Sequence, residues 1–260
     1  MSGLAPRPER GRAYTSRRTV RLGEVRPSGR ARLDALARYL QDVAAEDVDD
    51  AGYSASVVWA VRRCVMEVGR YPRLGETVTL TTFCSGLGRK WAERRTSITG
   101  EGGGRVEAAA LWVCLDQATG RPTSPGEQFL ALYGESAGHR AVSPRLHHPD
   151  PPPGAAWRPW PLRASDIDVL GHVNNAVHWA AAEDERARLG LRFGPAWGEI
   201  EYRAAIEPSD AVSVVSVSEA GGSVVPSPAT LDLWLVDGDS GIRASARLRA
   251  AESEPDRGPA

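Results

Sequence analysis

The chain has 260 residues, 42% of them hydrophobic and 25% charged, the make-up of an ordinary soluble globular protein with room for one large domain or two of about 110–130 residues. A formal net charge of −1 gives the molecule as a whole no electrostatic attraction to nucleic acid. No stretch approaches the ~20 apolar residues of a membrane span and Met1 to Arg12 lacks an apolar signal core, so a cytoplasmic protein without a membrane span is expected.

The charge is unevenly spread. Between Arg7 and Arg32 many arginines stand against only Glu9 and Glu24. The first dozen residues read as a solvated leader, and the remainder as a candidate docking patch for an acidic partner. In "ARLDALARYLQDVAAE", Leu33, Leu36, Leu40 and Val43 recur at helical spacing. "SVVWAVRRCVMEVGRYP" is valine-rich on both faces and reads as a central strand. Alternating strands follow in "RLGETVTLTTF" and "AALWVCLDQATGR". The stretch from Gly134 to Trp160, rich in Pro, Gly and His, has no hydrophobic period and reads as a linker.

Beyond it the pattern repeats. A helix carries Val173, Val177, Ala180 and Asp184 at helical spacing, which puts an acid on the core-facing side. "EPSDAVSVVSV" echoes "RLGETVTLTTF", and "LDLWLVDGDSGIR" echoes "AALWVCLDQATGR" around Trp234 and Trp112. The C-terminal "ESEPDRGPA" reads as a frayed tail. The expected architecture is α+β in two tandem units, each a helix with a curved antiparallel sheet: residues 14–134, a linker at 135–156, and residues 157–250. Cys64, Cys84 and Cys114 are scattered, with no metal-ligand or disulfide spacing, and read as reduced core thiols.

The densest polar chemistry lies in "SDIDVLGHVNNAVHWAAAEDE", Ser165 to Glu185. Its glycine before an apolar run predicts a loop entering a helix near His172 or Val173. A helix start has free N–H groups and a positive dipole end, which stabilise a carbonyl oxygen gaining charge. Asp168 could attack such a carbonyl or activate a water, and His172 could accept a proton or orient the reactants. Ser165, Asp166 and Asn174 read first as caps. Asn174 and Asp184 are also candidate substrate-binding positions, with a buried structural ion pair as the alternative for Asp184.

"SDIDVLGHVNNAVHW" resembles the signature of hot-dog thioesterases. From about Thr19 to Arg249 the chain resembles the acyl-acyl carrier protein thioesterases of plants and bacteria, through "LARYLQDVAAEDVDDAGY", "EVGRYPRLGETVTLTTFCSGLGRKWAERR", "LWVCLDQATGRP", "DIDVLGHVNN" and "EIEYRAAI". The resemblance implies a double hot-dog fold, with the N-terminal half shaping the acyl tunnel and the C-terminal half catalytic. It makes Asp168 and His172 the catalytic pair and Asn175 the source of the helix-end amide. It implies no cofactor and no metal, and an acyl carrier protein as partner, with no nucleic acid or membrane span, for a monomer or homodimer. Arg17, Arg18, Arg21, Arg30 and Arg32 are the candidate carrier-docking residues.

Two positions depart from the plant pattern. Leu170 stands where those enzymes have asparagine, and Ala205 and Ile206 stand where they have a glutamate and a cysteine. A cysteine mechanism is therefore absent, and Asp184 or Glu183 are the candidates to replace the glutamate. The first half has "EVRPSGRARL" in place of "DIDVLGHVNN", with no matching aspartate or histidine. A hot-dog hydratase would carry its Asp and His around a proline, and "DVLGH" has none. An acyl-CoA thioesterase and a non-catalytic acyl-thioester-binding protein remain the alternative readings.

Overall fold

A computed structural model describes residues 4–54, 56–191, 196–219, 229–238 and 241–250. Along the chain come β1 (Ala13–Thr19), a 3-10 turn (Leu22–Glu24), α1 (Leu33–Asp50), β2 (Val57–Arg70), β3 (Thr77–Leu87), β4 (Trp91–Gly100), β5 (Arg105–Asp116) and α2 (Gly126–Ala137). Then follow β6 (Trp157–Pro159), a second 3-10 turn (Ala164–Asp166), α3 (Asn175–Arg188), β7 (Ala196–Tyr202), β8 (Val212–Glu219), β9 (Thr230–Asp237) and β10 (Gly241–Ala250). Among the described residues these strands form one antiparallel sheet in the order β1-β3-β4-β5-β2-β7-β10-β9-β8-β6. The order reads the same from either end once β6 to β10 are matched to β1 to β5. The two halves join at the β2–β7 seam, where Cys64 faces Ile200 and Val68 faces Ala196.

The apolar periods explain where each helix lies. Leu33, Leu36, Leu40 and Val43 are all buried, as expected for one stripe of α1 laid on the sheet. From α3, Val177, Trp179, Ala181 and Ala182 enter the same core. Trp179 lies so close over Gly198 of β7 that an added Cβ there would stand 2.8 Å from its ring. A side chain at that position would push the helix off the sheet.

Three expectations are corrected. The match between "AALWVCLDQATGR" and "LDLWLVDGDSGIR" is one strand out of step: β5 pairs with β2 and β4, whereas β9 pairs with β8 and β10 and so corresponds to β4. A tryptophan in an alternating run marks a strand but not its place in the sheet, which pairing decides. Second, the segment read as linker begins inside α2, and its middle is strapped to the sheet face opposite the helices. Glu201, fully buried, accepts the backbone N–H of His148 at 3.1 Å, and the His148 ring reaches Ser245 Oγ at 3.0 Å and Glu199 Oε2 at 3.2 Å. A buried carboxylate needs such donors. Third, the leader is tied down before β1. Arg12 pairs with the buried Asp47 at 2.7 Å and with Asp50 at 2.6 Å, and Arg95 Nε donates to the Ala5 carbonyl at 3.0 Å. The segment read as a frayed tail lies outside the described residues.

Candidate active site

The chain reverses at Asp168–Gly171. Gly171 N–H donates to the Asp168 carbonyl and Asp168 N–H to the His172 carbonyl, both at 2.9 Å, and Gly171 adopts φ +81°, a conformation glycine reaches without strain. Ile167 and Val173 form a β-bridge across the base of the turn. Helix α3 then starts at Asn175, two residues later than its sequence suggests, with Asn174 as its cap: the side-chain oxygen accepts Ala176 N–H at 2.9 Å.

The cap also orients the acid. Asn174 Nδ2 donates to Asp168 Oδ2 at 3.2 Å, while Leu170 N–H donates to Asp168 Oδ1 at 2.9 Å. The carboxylate is thus held by the turn and the cap. The first N–H of α3, on Asn175, has no acceptor among the described residues, which leaves the positive helix end open to a ligand. Tyr202 fixes the far side by donating its hydroxyl to the Asn175 carbonyl at 3.1 Å. One turn on, His178 packs edge-on against Tyr202, and burial pushes its pKa down to about 4.

The His172 ring makes no hydrogen bond to the Asp168 carboxylate, whose partners among the described residues are Leu170 and Asn174. The ring Nε2 lies 3.1 Å from Glu207 Oε1, both groups being half-exposed. Sequence reasoning misses Glu207, because the resemblance puts the glutamate two residues earlier, at Ala205. Glu207 follows Ile206, whose carbonyl accepts Val173 N–H at 2.9 Å, so the segment after β7 carries it to the loop. The "EPSD" turn was the available signal. Asp184, expected on the apolar face, is instead exposed on the outer stripe of α3 with Ala187 and Arg188. Val177, seven residues earlier on the same stripe, is buried, so this stripe passes from the core to solvent along α3. The buried acids are its neighbours Glu183 and Glu185.

The first half builds the same loop. Arg26 N–H donates to the Arg30 carbonyl at 2.9 Å, Gly29 N–H to the Arg26 carbonyl at 2.8 Å, and Ala31 N–H to the Pro72 carbonyl at 2.9 Å; Gly29 has φ +74°. Arg26, Arg30, Arg32, Leu33 and Arg73 therefore occupy the places of Asp168, His172, Asn174, Asn175 and Glu207. Here the helix end is filled. Glu183 of α3 accepts Leu33 N–H at 2.8 Å and meets Arg26 at 2.7 Å, an ion pair rather than a directed hydrogen bond. Burial raises the Glu183 pKa, with Arg26 opposing the shift. The Arg26 guanidinium lies 4.7 Å from the centroid of Tyr71. At the second loop the residue matching Tyr71 is Ala205, which is exposed.

Among the docking candidates, Arg18 bonds Asp42 at 2.5 Å and covers the Tyr39 ring at 3.8 Å, Arg32 bonds Asp34 at 2.8 Å, and Arg17 pairs with Glu101. Arg21 and Arg30 are exposed with no ionic partner among the described residues. The three cysteines are buried and free, and burial pushes the Cys64 and Cys84 thiols up to about 12 and about 11, poor conditions for a nucleophile. A cleft of about 520 Å³ between the linker and β8, lined by Arg158, Glu185, Arg188 and Val217 among others, shares no residue with the Asp168 loop.

Residues 11–133 match the acyl-ACP thioesterase N-terminal domain family. An uncharacterized protein of Mycobacterium tuberculosis is 28% identical over 212 residues, covering 81% of this chain and 85% of that one. The oleoyl-acyl carrier protein thioesterase 1 of Arabidopsis thaliana is 27% identical over 199 residues, covering 65% of this chain and 54% of that protein. In fold, the chain is similar to the 12:0-ACP thioesterase from Umbellularia californica, with a TM-score of 0.75 at 17% identity over 91% of this chain and 93% of the other. It is similar also to an acyl-ACP thioesterase from Bacteroides thetaiotaomicron, with a TM-score of 0.72 at 16% identity over 91% and 97%.

Proposed function

We propose that the Asp168 loop and the start of α3 are the catalytic site of this member of the acyl-acyl carrier protein thioesterase family, a thioester hydrolase. The observation that carries this reading is the contrast between two copies of one loop. One helix start is filled by Glu183; the other is open beside an oriented carboxylate.

The palindromic strand order supports reading the sheet as two hot-dog units in tandem, with residues 14–134 and 157–250 as the units and 135–156 as the connection. The N-terminal unit shapes the space for the acyl chain. The substrate is an acyl group on the phosphopantetheine arm of an acyl carrier protein, and the product is a free fatty or related acid. Three buried, unpaired cysteines fit a reducing cytoplasm. No helix among the described residues is long and apolar enough to cross a membrane.

In this mechanism the thioester carbonyl oxygen takes the Asn175 N–H at the positive end of α3. Asp168, held by Asn174 and Leu170, accepts a proton from water as the water oxygen bonds to the carbonyl carbon. The oxyanion gathers its charge at the helix end. Collapse reforms the carbonyl and breaks the C–S bond, and the proton on Asp168 passes to the departing thiolate, leaving acid, thiol and a regenerated carboxylate. His172, backed by Glu207, orients the reactants at the mouth. The test is thiol release from a graded series of acyl-carrier and acyl-CoA thioesters by the wild type and by Asp168→Asn. Faster turnover on carrier substrates supports the assignment. Equal or greater turnover on acyl-CoA favours the coenzyme A reading, and no turnover of any thioester defeats the proposal.

A further inference from the structure

The repeat that relates the two loops also relates the two helices. Glu183 stands eight residues after the first residue of α3, and Gln41 stands eight residues after the first residue of α1. The exposed positions agree under the same shift: Arg38, Asp42 and Glu46 on α1 fall where Ala180, Asp184 and Arg188 fall on α3, with five of the six exposed and Ala180 intermediate. Glu183 reaches across the helix pair to the first N–H of α1 and to Arg26. Under the same repeat, Gln41 corresponds to Glu183, and the Asn175 N–H and Asp168 correspond to the Leu33 N–H and Arg26. Gln41 is half-buried, and its carboxamide has no hydrogen-bond partner among the described residues. A half-buried amide without a partner is costly unless something polar meets it.

The chemistry separates the two sites. Opposite Arg26 the chain places an acid, and the two charges neutralise each other. At the position that the repeat matches to Glu183 it places a neutral amide, which adds no like-charge repulsion to Asp168. An amide also offers both an acceptor and a donor. We propose that Gln41 is a catalytic residue contributed by the N-terminal half, its side-chain oxygen accepting one proton of the hydrolytic water while Asp168 accepts the other. This rests on the assignment of the Asp168 loop as the catalytic site. Two acceptors on one water fix its oxygen lone pair toward a carbonyl carbon held at the Asn175 N–H. No proton is transferred to Gln41, which positions the water and leaves Asp168 as the base.

The experiment compares Gln41→Ala, the length-matched Gln41→Met, Gln41→Glu and the repeat-related Glu183→Gln in the full chain, on one acyl-carrier substrate. Gln41→Ala and Gln41→Met are expected to lower kcat roughly 5- to 10-fold, the worth of about one neutral hydrogen bond to the reacting water, with KM and Tm near wild type. Gln41→Glu keeps an acceptor but adds a second carboxylate, so it should recover only part of kcat, with the pH profile displaced upward by like-charge repulsion at Asp168. Glu183→Gln should lower Tm while leaving kcat per folded molecule unchanged. If kcat stays within about threefold in Gln41→Ala and Gln41→Met while Asp168→Asn is inactive, this role falls and the catalytic loop stands. If Asp168→Asn also retains activity, the assignment of the loop itself is overturned. A fall in kcat that merely follows a fall in Tm in both Gln41 variants assigns the residue to the fold and defeats the proposal.

Discussion

Arg26 and Asp168 occupy the same position in two copies of one turn, each fixed by the same backbone bonds and each followed, three residues on, by a glycine at positive φ. One copy points a cation at a buried glutamate, and the other presents a carboxylate to an open helix end. On the proposed assignment, the two copies divide into a structural pair and a chemical site.

The structural copy predicts a stability effect without a catalytic one. Arg26→Ala leaves Glu183 largely buried, with Leu33 N–H at 2.8 Å and Arg186 at 3.6 Å as its remaining partners. Unfolding free energy should fall by up to about 3 kcal/mol, as when one partner of a buried pair is removed. Arg26→Met combined with Glu183→Met should recover most of that loss. Denaturant titration beside kcat measurement checks both, and loss of kcat without loss of stability would contradict the assignment.

The chemical copy predicts the reverse. Asp168→Asn keeps the bond to Leu170 N–H and the shape of the turn, so melting should be nearly unchanged. Removing a general base costs ~10²–10⁴ in kcat. A single turnover in ¹⁸O-labelled water should place label directly in the released acid. Unlabelled acid in that first turnover would make Asp168 the nucleophile instead.

Much of this was legible in the residues, for identifiable reasons. Helix α1 could be read because Leu33, Leu36, Leu40 and Val43 fall on one stripe, and β2 because valines crowd both its faces. The correspondence of "EVRPSGRARL" with "DIDVLGHVNN" could be read because a turn closed by glycine leaves a local signature. Glu207 could not, since its meeting with His172 depends on the bond from Val173 to Ile206, a contact between distant segments. The exposure of Asp184 could not be read, because the stripe it shares with the buried Val177 leaves the core along the helix, which periodicity alone does not show. The fit of His148 beneath Glu199 and Ser245 left no periodic trace, since a strap is held by single hydrogen bonds.

Glu207 should matter to rate more than to fold. Its contact with His172 is half-exposed, where a charge-assisted pair is worth up to about 1 kcal/mol. Glu207→Gln should therefore lower kcat by several-fold, up to about fivefold, and His172→Ala by more. Combining the two should cost little beyond His172→Ala alone. Independent, multiplying losses would show that the two residues do not act together.

Acid should weaken the fold in two stages. His178 is buried and its pKa is lowered from 6.5 to about 4, so the unfolded chain takes the proton first and stability declines as pH falls from about 6.5 to about 4. Glu185 is lowered from 4.5 to about 2, foremost by Arg188, then with Ser216 and Arg158; its contribution is complete above about 4.5 and lost as pH falls toward about 2. Melting curves against pH should show both declines. His178→Gln should flatten the first and Glu185→Gln the second, each with a lower plateau.

The carrier should be felt by arginines that the fold leaves free. Arg18 and Arg32 already serve Asp42, Tyr39 and Asp34, so Arg18→Gln and Arg32→Gln should lower Tm. Arg21, Arg30 and Arg73 are exposed, and Arg30 and Arg73 face each other across a β-bridge, a like-charge arrangement that an acidic partner would relieve. Arg30 and Arg73 lie at the first loop, whose Arg26 meets Glu183, a residue about 12 Å along the helix axis from the start of α3. A standard interface of ~800 Å² per partner spans that distance. Replacing all three with Gln should raise KM for the acyl-carrier substrate by about 3- to 10-fold at low salt and flatten its salt dependence, because steering by such charges is screened over ~8 Å at physiological salt. Hydrolysis of a short acyl thioester without a carrier should stay near wild type. Equal losses on both substrates would mean that the first loop supports the acyl-binding space, and an unchanged KM on both would remove it from the docking surface.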